Sequence, residues 1–502
     1  MEEGLYVRNH RFSSSDKASR WVMLLFLLIV SLGILLRFYD LAGESIWVDE
    51  AFTYHYVTTP LPELVTLLKH DVHPILFYAL EHWWIELFGP SEFSLRFLPF
   101  IFGSLSIVLM YGLARELFKF RISLLATLFF SLSYTLILYS QEAKMYAQFI
   151  FLLLGVLWSY ACFLKKPSWS SLFWLSVCSG LLLHTHILSV VVLVPLIFLY
   201  FFSYLLQKHQ EINFWGWLLP QFKVNYNLKQ FWGYVGSLLL WYLPWMPVFF
   251  YQFQRLFLDM LPSKFMEKFG FNGFYPLMIL AAFLVLTLVS GLFYIVKKTK
   301  FRPFFRKIFA LRIPSALGVG IFLMYLMINV LFYRFLLGNV PYVRYLLFLL
   351  PLFYLWMAYT LDNLNSKKWF MALLVLYLLA TSFILIQYYS TNGKEEWREV
   401  AAYVSETVGH NDILLFNNGG HTRQAFNYYY PKDTLKIRLD VPEDMTLLRK
   451  NVPGHTFAYL IMSHNFKTGD LFKNEMDGKY QLVDSREFIG IKMYKYLLGK
   501  DG

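Results

Sequence analysis

Two adjacent carboxylates, Asp49 and Glu50 in Trp47-Val48-Asp49-Glu50, follow closely on the first long apolar run of the chain. Such a pair can hold a divalent cation such as magnesium or manganese, with Asp49 the leading ligand, or accept a proton from an attacking hydroxyl. It can equally mark a helix start, where Asp is favoured as a cap. The same stretch adds His70-Asp71-Val72-His73-Pro74. Asp71 and His73 could ligate a metal or hydrogen-bond a sugar, or could cap a helix with Pro74 at its first position. His184-Thr185-His186 is a weaker metal signal, because residues two apart do not share a helix face. A polar cluster at the membrane interface explains it as well. Three cations, Arg96, Lys144 and Arg344, each stand at the end of an apolar run. Together they could bind a lipid phosphate; singly, each could snorkel to headgroups.

The elements that must position these residues are membrane helices. The chain is 57% hydrophobic and only 16% charged, the balance of a protein solvated mainly by lipid. A span needs about 20 mostly apolar residues. Segments of that kind fall at 21–39, 97–114, 122–139, 145–163, 169–184, 187–204, 231–250, 274–296, 313–336, 346–362 and 369–389, about 11 spans in all. The run Trp21 to Phe38 is too long for a signal-peptide core and lacks a small-residue cleavage site, so it reads as a retained span. Pro74–Phe88, shorter and carrying Glu81, His82 and Glu86, reads as an amphipathic helix at the interface. Cys162 and Cys178 lie in apolar runs and read as packing residues.

Lys and Arg in the connections set orientation. With the N-terminus cytoplasmic, one side collects Arg8 to Arg20, Arg115 to Arg121, Lys165 to Lys229, the block Lys297 to Arg312, and Lys367 with Lys368, while the other side is sparse in cations. The formal charge of +12 is therefore a topology signal, and no nucleic acid is expected as a partner. The 15 Trp and 35 Tyr suit the aromatic belts of span ends. Two regions face outward: the first loop, 40–96, and the tail, 391–502, which loses the apolar runs. In the tail, Lys394–Glu406 has helical periodicity, with Trp397, Val400, Ala401 and Val404 on one face. Asp412–Phe416, Thr456–Met462 and Phe488–Tyr496 read as strands, and Asn417–Gly420 as a turn. The expectation is a polytopic α-helical membrane domain over 1–390 and a small extracytoplasmic α/β domain over 391–502. The spans are nearly free of interior Asp and Glu, and neither a Walker A motif nor half-chain symmetry is present. Acids and bases gather instead on the outer face, which favours surface chemistry on a lipid-borne substrate over ion-coupled transport.

These residues, in this order, resemble a known family. Ile46-Trp47-Val48-Asp49-Glu50-Ala51, then Asp71-Val72-His73-Pro74-Ile75-Leu76-Phe77-Tyr78, then Phe88-Gly89 and Ser94-Leu95-Arg96 are similar to the first-loop pattern of glycosyltransferase family 39 and its bacterial relatives. These are GT-C polyprenyl-phosphate-sugar transferases, including protein mannosyltransferases and aminoarabinose transferases. Gln141-Glu142-Ala143-Lys144-Met145-Tyr146 resembles their Gln-Glu-Ala-Arg-Tyr-type loop, with Lys for Arg, and His184-Thr185-His186 and Arg344-Tyr345 fall where members carry Thr-His and Arg-Tyr. Glu396-Trp397-Arg398 and Asp412 to Phe416 are similar to the soluble segment of many bacterial members. The Trp-Trp-Asp signature of oligosaccharyltransferases is missing, since Trp83-Trp84 is followed by Ile85-Glu86.

The resemblance implies an inverting transferase in the bacterial inner membrane, working on the non-cytoplasmic face. Its donor would be a sugar on a polyprenyl phosphate and its acceptor a lipid, glycan or protein. It implies Asp49 as general base or metal-site carboxylate with Glu50 in support, and Arg96, Lys144 and Arg344 on the departing phosphate. Asp71, His73, Glu142, Tyr146, His184 and His186 become candidates for substrate or metal contacts, with His73 on phosphate or acceptor. A flippase for a lipid-linked sugar and a surface-polysaccharide polymerase or ligase are the alternatives.

Overall fold

The computed structural model describes residues 17–71, 73–210, 224–254, 343–364, 366–391, 393–417, 419–451, 454–464 and 466–498. The spans expected at 274–296 and 313–336 lie outside these residues. The chain opens with α1 (Lys17–Phe38), followed by three short helices: α2 (Val48–Val57), α3 (Leu61–Leu68) and α4 (Leu76–Phe88). Then come α5 (Glu92–Leu117), α6 (Phe120–Ser131), α7 (Tyr134–Ser140), α8 (Tyr146–Lys165), α9 (Trp169–Leu183) and α10 (Ser189–Gln210). α11 (Leu228–Tyr242) and α12 (Met246–Phe253) flank one 3-10 turn, and a second turn, Val343–Leu349, leads into α13 (Leu350–Asp362) and α14 (Lys367–Ser390). Among the described residues six segments are long and apolar enough to cross a membrane, or seven if the bent pair α6–α7 is one span. The protein is an integral membrane protein. α9 and Leu347–Asp362 are apolar but shorter than a full crossing.

One expected span tightens into a 3-10 turn and another is bent. The one read at 231–250 is interrupted where Pro244 and Pro247 remove backbone donors and clash with the preceding turn. The one read at 122–139 breaks at Leu132–Ser133 and bends by 57°. A broken helix leaves carbonyls unpaired in an apolar setting, and Arg37, fully buried, satisfies them. Its guanidinium donates to Ser131 O at 2.9 Å, to Phe130 O at 3.5 Å and to Gly33 O of its own helix at 2.9 Å. On the far side of the break Ser133 caps α7, and the Tyr354 hydroxyl donates to the Ser133 hydroxyl at 2.7 Å. Arg37 is thus a bracket for the bend. Gly103 lets α7 press against α5: a Cβ there would lie 2.0 Å from Ser140 Oγ. The bend delivers the loop 141–145 to the site.

After α14 the chain forms an α/β unit: α15 (Trp397–Thr407), β1 (Ile413–Asn417), α16 (Gly419–Tyr429), β2 (Leu435–Leu439), α17 (Met445–Asn451), β3 (Phe457–Ser463), α18 (Phe466–Asp477), β4 (Gln481–Phe488) and β5 (Ile491–Leu497). The sheet order is β2-β1-β3-β5-β4. β1 is parallel to both neighbours, Ile413 lying opposite Leu435 and Ala458, while β5 is antiparallel to β3 and β4. β1 is buried along its whole length, as a central parallel strand with both faces covered must be. α15 buries Trp397, Val400, Ala401 and Val404, the face read from the periodicity. Two expectations are corrected here. Asn417–Gly420 is not a turn, because Asn417 ends β1 and Gly419 already starts α16. The strand read at Phe488–Tyr496 is the second arm of a hairpin that turns at Ile489-Gly490, with Gly490 at φ +74°.

Candidate active site

α2 carries both acidic residues in its first turn, and its cap is Trp47, which supplies no side-chain acceptor. The cap reading of Asp49 is therefore corrected. Successive helical residues point about 100° apart, so Asp49 and Glu50 face different surroundings. Asp49, partly exposed, receives Arg344 Nη1 at 2.9 Å, and the same nitrogen donates to the Tyr146 hydroxyl at 3.3 Å. Residues from three distant parts of the sequence thus meet at one point.

Glu50 is wholly buried. Its Oε1 accepts Arg96 Nε at 2.8 Å and the Ala143 amide at 2.9 Å, its Oε2 accepts Arg96 Nη2 at 2.7 Å, and Lys394 Nζ stands 3.2 Å from both. Burial alone would raise its pKa, but the Arg96 and Lys394 charges and these hydrogen bonds win and take it to about 2. Arg96 spends its remaining N–H groups on the carbonyls of Leu41, Glu44 and Ser45 at 2.9–3.1 Å. Its five donors are all engaged and its side chain is 2% exposed. Arg96 therefore has no free donor for a phosphate, and the expectation that it binds one is corrected. It ties the first loop to the head of α5.

Loop 141–145 presents Glu142 and Lys144, both buried. Gln141 anchors it, donating to Tyr39 O at 2.7 Å and Arg37 O at 3.2 Å while accepting the Tyr388 hydroxyl at 2.8 Å. Burial pushes the Glu142 carboxyl up from the ordinary 4.5 to about 8, the charges of Asp49 and Glu50 adding to it and those of Lys394 and Lys144 opposing. A raised folded pKa gives stability that is full below pH 4.5 and lost as pH rises through about 8. His186 has the opposite sign: burial, aided by His73 and Arg344, lowers it from 6.5 to about 3, so its contribution is complete above pH 6.5. Between pH 6.5 and 8, then, Glu142 makes the protein less stable with rising pH. Glu142→Gln is expected to flatten that slope in detergent-solubilised protein followed by thermal unfolding; an unchanged slope would refute the assignment.

Asp71 and His73 do not cap α4. That helix begins at Leu76, past Pro74, and its cap Ile75 offers no side chain. Instead Asp71 Oδ1 accepts both the His73 amide at 3.3 Å and its Nδ1 at 2.7 Å. His73 lies edge-on to His186 with ring centroids 5.4 Å apart, and His186 also contacts Tyr146 and Phe149. His184 is elsewhere, bonded to Trp241 O at 2.8 Å, so the two histidines part as their spacing implies. Among the described residues no three His, Cys, Asp or Glu side chains converge as a metal group. Asp49 faces a guanidinium, and a magnesium or manganese ion there would need more oxygen ligands than the described residues bring together.

The contacts of four tail residues escaped the sequence reading. Lys394 and Glu395 enter from the tail, and Tyr429 of α16 donates to Glu92 while receiving the Ile46 amide at 2.6 Å. Arg398, in the recognised Glu-Trp-Arg run, donates to Glu92 Oε2 at 2.5 Å and to the carbonyls of Ala42, Gly43 and Glu44.

Comparison with known proteins agrees with this architecture. Residues 72–219 match the sequence model of the family described as dolichyl-phosphate-mannose-protein mannosyltransferase. That segment holds His73, Arg96, Glu142, Lys144, Tyr146 and both histidines of 184–186, but neither Asp49 nor Arg344. No curated protein sequence matches. The structure is similar to ArnT from Cupriavidus metallidurans in the apo state, with 12% identity, 97% of this chain and 100% of that one covered, and a TM-score of 0.54. The same protein bound to undecaprenyl phosphate gives 12% identity, 97% and 99% coverage and 0.52. The apo oligosaccharyltransferase of Archaeoglobus fulgidus gives 12% identity, covers 94% of this chain and 74% of that one, and scores 0.51. At such identities the structural likeness concerns the fold, and the matched segment adds the sequence. The chain therefore has the fold of these membrane proteins, and its residues 72–219 are similar in sequence to the mannosyltransferase family.

Proposed function

We propose that the protein transfers a sugar from a polyprenyl-phosphate carrier to a hydroxyl of a lipid, glycan or protein acceptor, at the non-cytoplasmic face of a bacterial inner membrane. The pairing of Asp49 with Arg344 at 2.9 Å carries this reading, because it puts a proton acceptor and a phosphate-binding group side by side. The acceptor oxygen attacks the anomeric carbon in line with the carrier phosphate and gives its proton to Asp49. The bond from that carbon to the phosphate oxygen breaks, the configuration inverts, and a second negative charge develops on the phosphate. Arg344 is the lead group for that charge, its fork suited to phosphate oxygens. Lys144 and His73 supplement it, and Tyr146 orients the guanidinium. Sidedness rests on the distribution of Lys and Arg along the sequence. The α/β tail, fastened to the same loop as Asp49, lies on that outer face.

The test is product accounting in proteoliposomes loaded with polyprenyl-phosphate sugar. A transferase consumes the donor and releases polyprenyl phosphate in proportion to glycosylated acceptor. Relocation of intact donor between leaflets would point to a flippase, and a requirement for a lipid-linked oligosaccharide to a polymerase or ligase.

A further inference from the structure

The first turn of α2 is held from outside the membrane domain. Lys394 sends its ammonium between Glu50 and the Gln141 carbonyl, 3.2 Å from each Glu50 oxygen and 3.3 Å from Gln141 O. Its neighbour Glu395 faces the backbone of Val48, the first residue of α2, which favours the charged carboxylate. A helix start needs acceptors for its free N–H groups, and Trp47 supplies no side-chain one. Glu395 brings a carboxylate to that helix start from the far end of the sequence. Asp49 therefore sits between two neighbours that the tail reaches, Val48 faced by Glu395 and Glu50 bonded to Lys394.

The α/β unit is built to hold Glu395 still. One of its oxygens accepts the Trp397 indole at 2.6 Å, and the other faces Ser463 Oγ at 3.3 Å and His464 Nδ1 at 3.1 Å. Ser463 and His464 stand at the carboxyl end of β3, and the Asn417 side chain at the carboxyl end of β1 accepts the Ser463 amide at 2.7 Å. α16 and α18 leave from these two adjacent parallel strands toward opposite edges of the sheet. That crevice is where open α/β sheets take ligands. Here it takes a carboxylate of the same chain. His464 is held at φ +61°, a conformation that side chains other than glycine seldom adopt.

We propose that Lys394 and Glu395 are positioning residues for the transfer reaction, and that the tail is a clasp fixing the helix that carries Asp49. This rests on the reading of Asp49 as the proton acceptor. A misplacement of about 1 Å at a reacting group can cost on the order of a hundredfold in rate without loss of substrate binding. The clasp touches α2 and loop 141–145, so its loss changes turnover more than donor affinity.

The test uses the full chain in lipid nanodiscs, with kcat and donor KM measured for the parent protein and for Lys394→Met, Lys394→Arg and Asp49→Asn. Lys394→Met is expected to lower kcat about 10- to 100-fold with donor KM within about twofold, and Lys394→Arg to restore most of it. A merely structural lysine would change the yield of folded protein but not split kcat from KM. Hydrogen exchange is the second measurement: Glu395→Ala is expected to expose the amides of residues 48–50 while β1 and β3 stay protected. That arm carries the test if Lys394→Met does not fold. Parental kcat in Lys394→Met, or unchanged protection in Glu395→Ala, overturns the clasp while an inactive Asp49→Asn leaves the site reading standing. An active Asp49→Asn overturns both.

Discussion

Asp49→Asn is expected to lower turnover by about 10²- to 10⁴-fold, the range that a positioned general base supplies, without raising donor KM. The substitution keeps the shape of the side chain and an oxygen that Arg344 can bond, so α2 and its anchors stay in place. It removes only the ability to take the acceptor proton. Arg344 keeps its charge for the donor phosphate. The measurement is steady-state transfer against donor concentration, with fluorescent donor binding as a separate assay. Loss of turnover alongside intact binding assigns Asp49 to the chemical step. Loss of both would make Asp49 a binding residue, and full turnover would refute the assignment.

How much of this was legible in the sequence depended on whether the partner of a residue lies nearby in the chain. The apolar runs announced the spans, because lipid imposes length and composition on each helix separately. β1 and β3 were legible for the same reason, as continuous apolar runs covered on both faces. β4, exposed along most of its length, carries no alternation to read. The three outer cations looked alike as types at span ends. Arg344 reaches Asp49, whereas Arg96 is absorbed by Glu50 and three carbonyls, and that difference is tertiary. Arg37 shows the same limit, since a cation at a span end looks like a headgroup anchor until the break it brackets is known. Lys394 and Glu395 read only as the start of a helix, which in fact begins at Trp397, and their contacts gave no signal. Glu50 and Val48 lie more than three hundred positions away, and only the docking of the tail brings them together.

The second large effect concerns folding. Arg96→Ala is expected to destabilise the protein by about 3–5 kcal/mol, because breaking a buried ion pair leaves its partner uncompensated. Glu50, 0% exposed, would keep only the Ala143 amide and the more distant Lys394, and three carbonyls of the first loop would lose their donor. The same change in the opposite direction, Glu50→Ala, leaves Arg96 and Lys394 facing each other without a carboxylate between them. Either single variant should lower the thermal midpoint in detergent far more than the pair replaced together by neutral side chains of similar size, Glu50→Gln with Arg96→Met. The pH dependence checks the origin of the effect. A folded pKa depressed from 4.5 to about 2 gives stability that is full above pH 4.5 and lost as pH falls through about 2. The gap between parent and Arg96→Ala should therefore be widest above pH 4.5 and close on acidification. A gap that does not change with pH would mean that the loss arises from packing around the Arg96 stem.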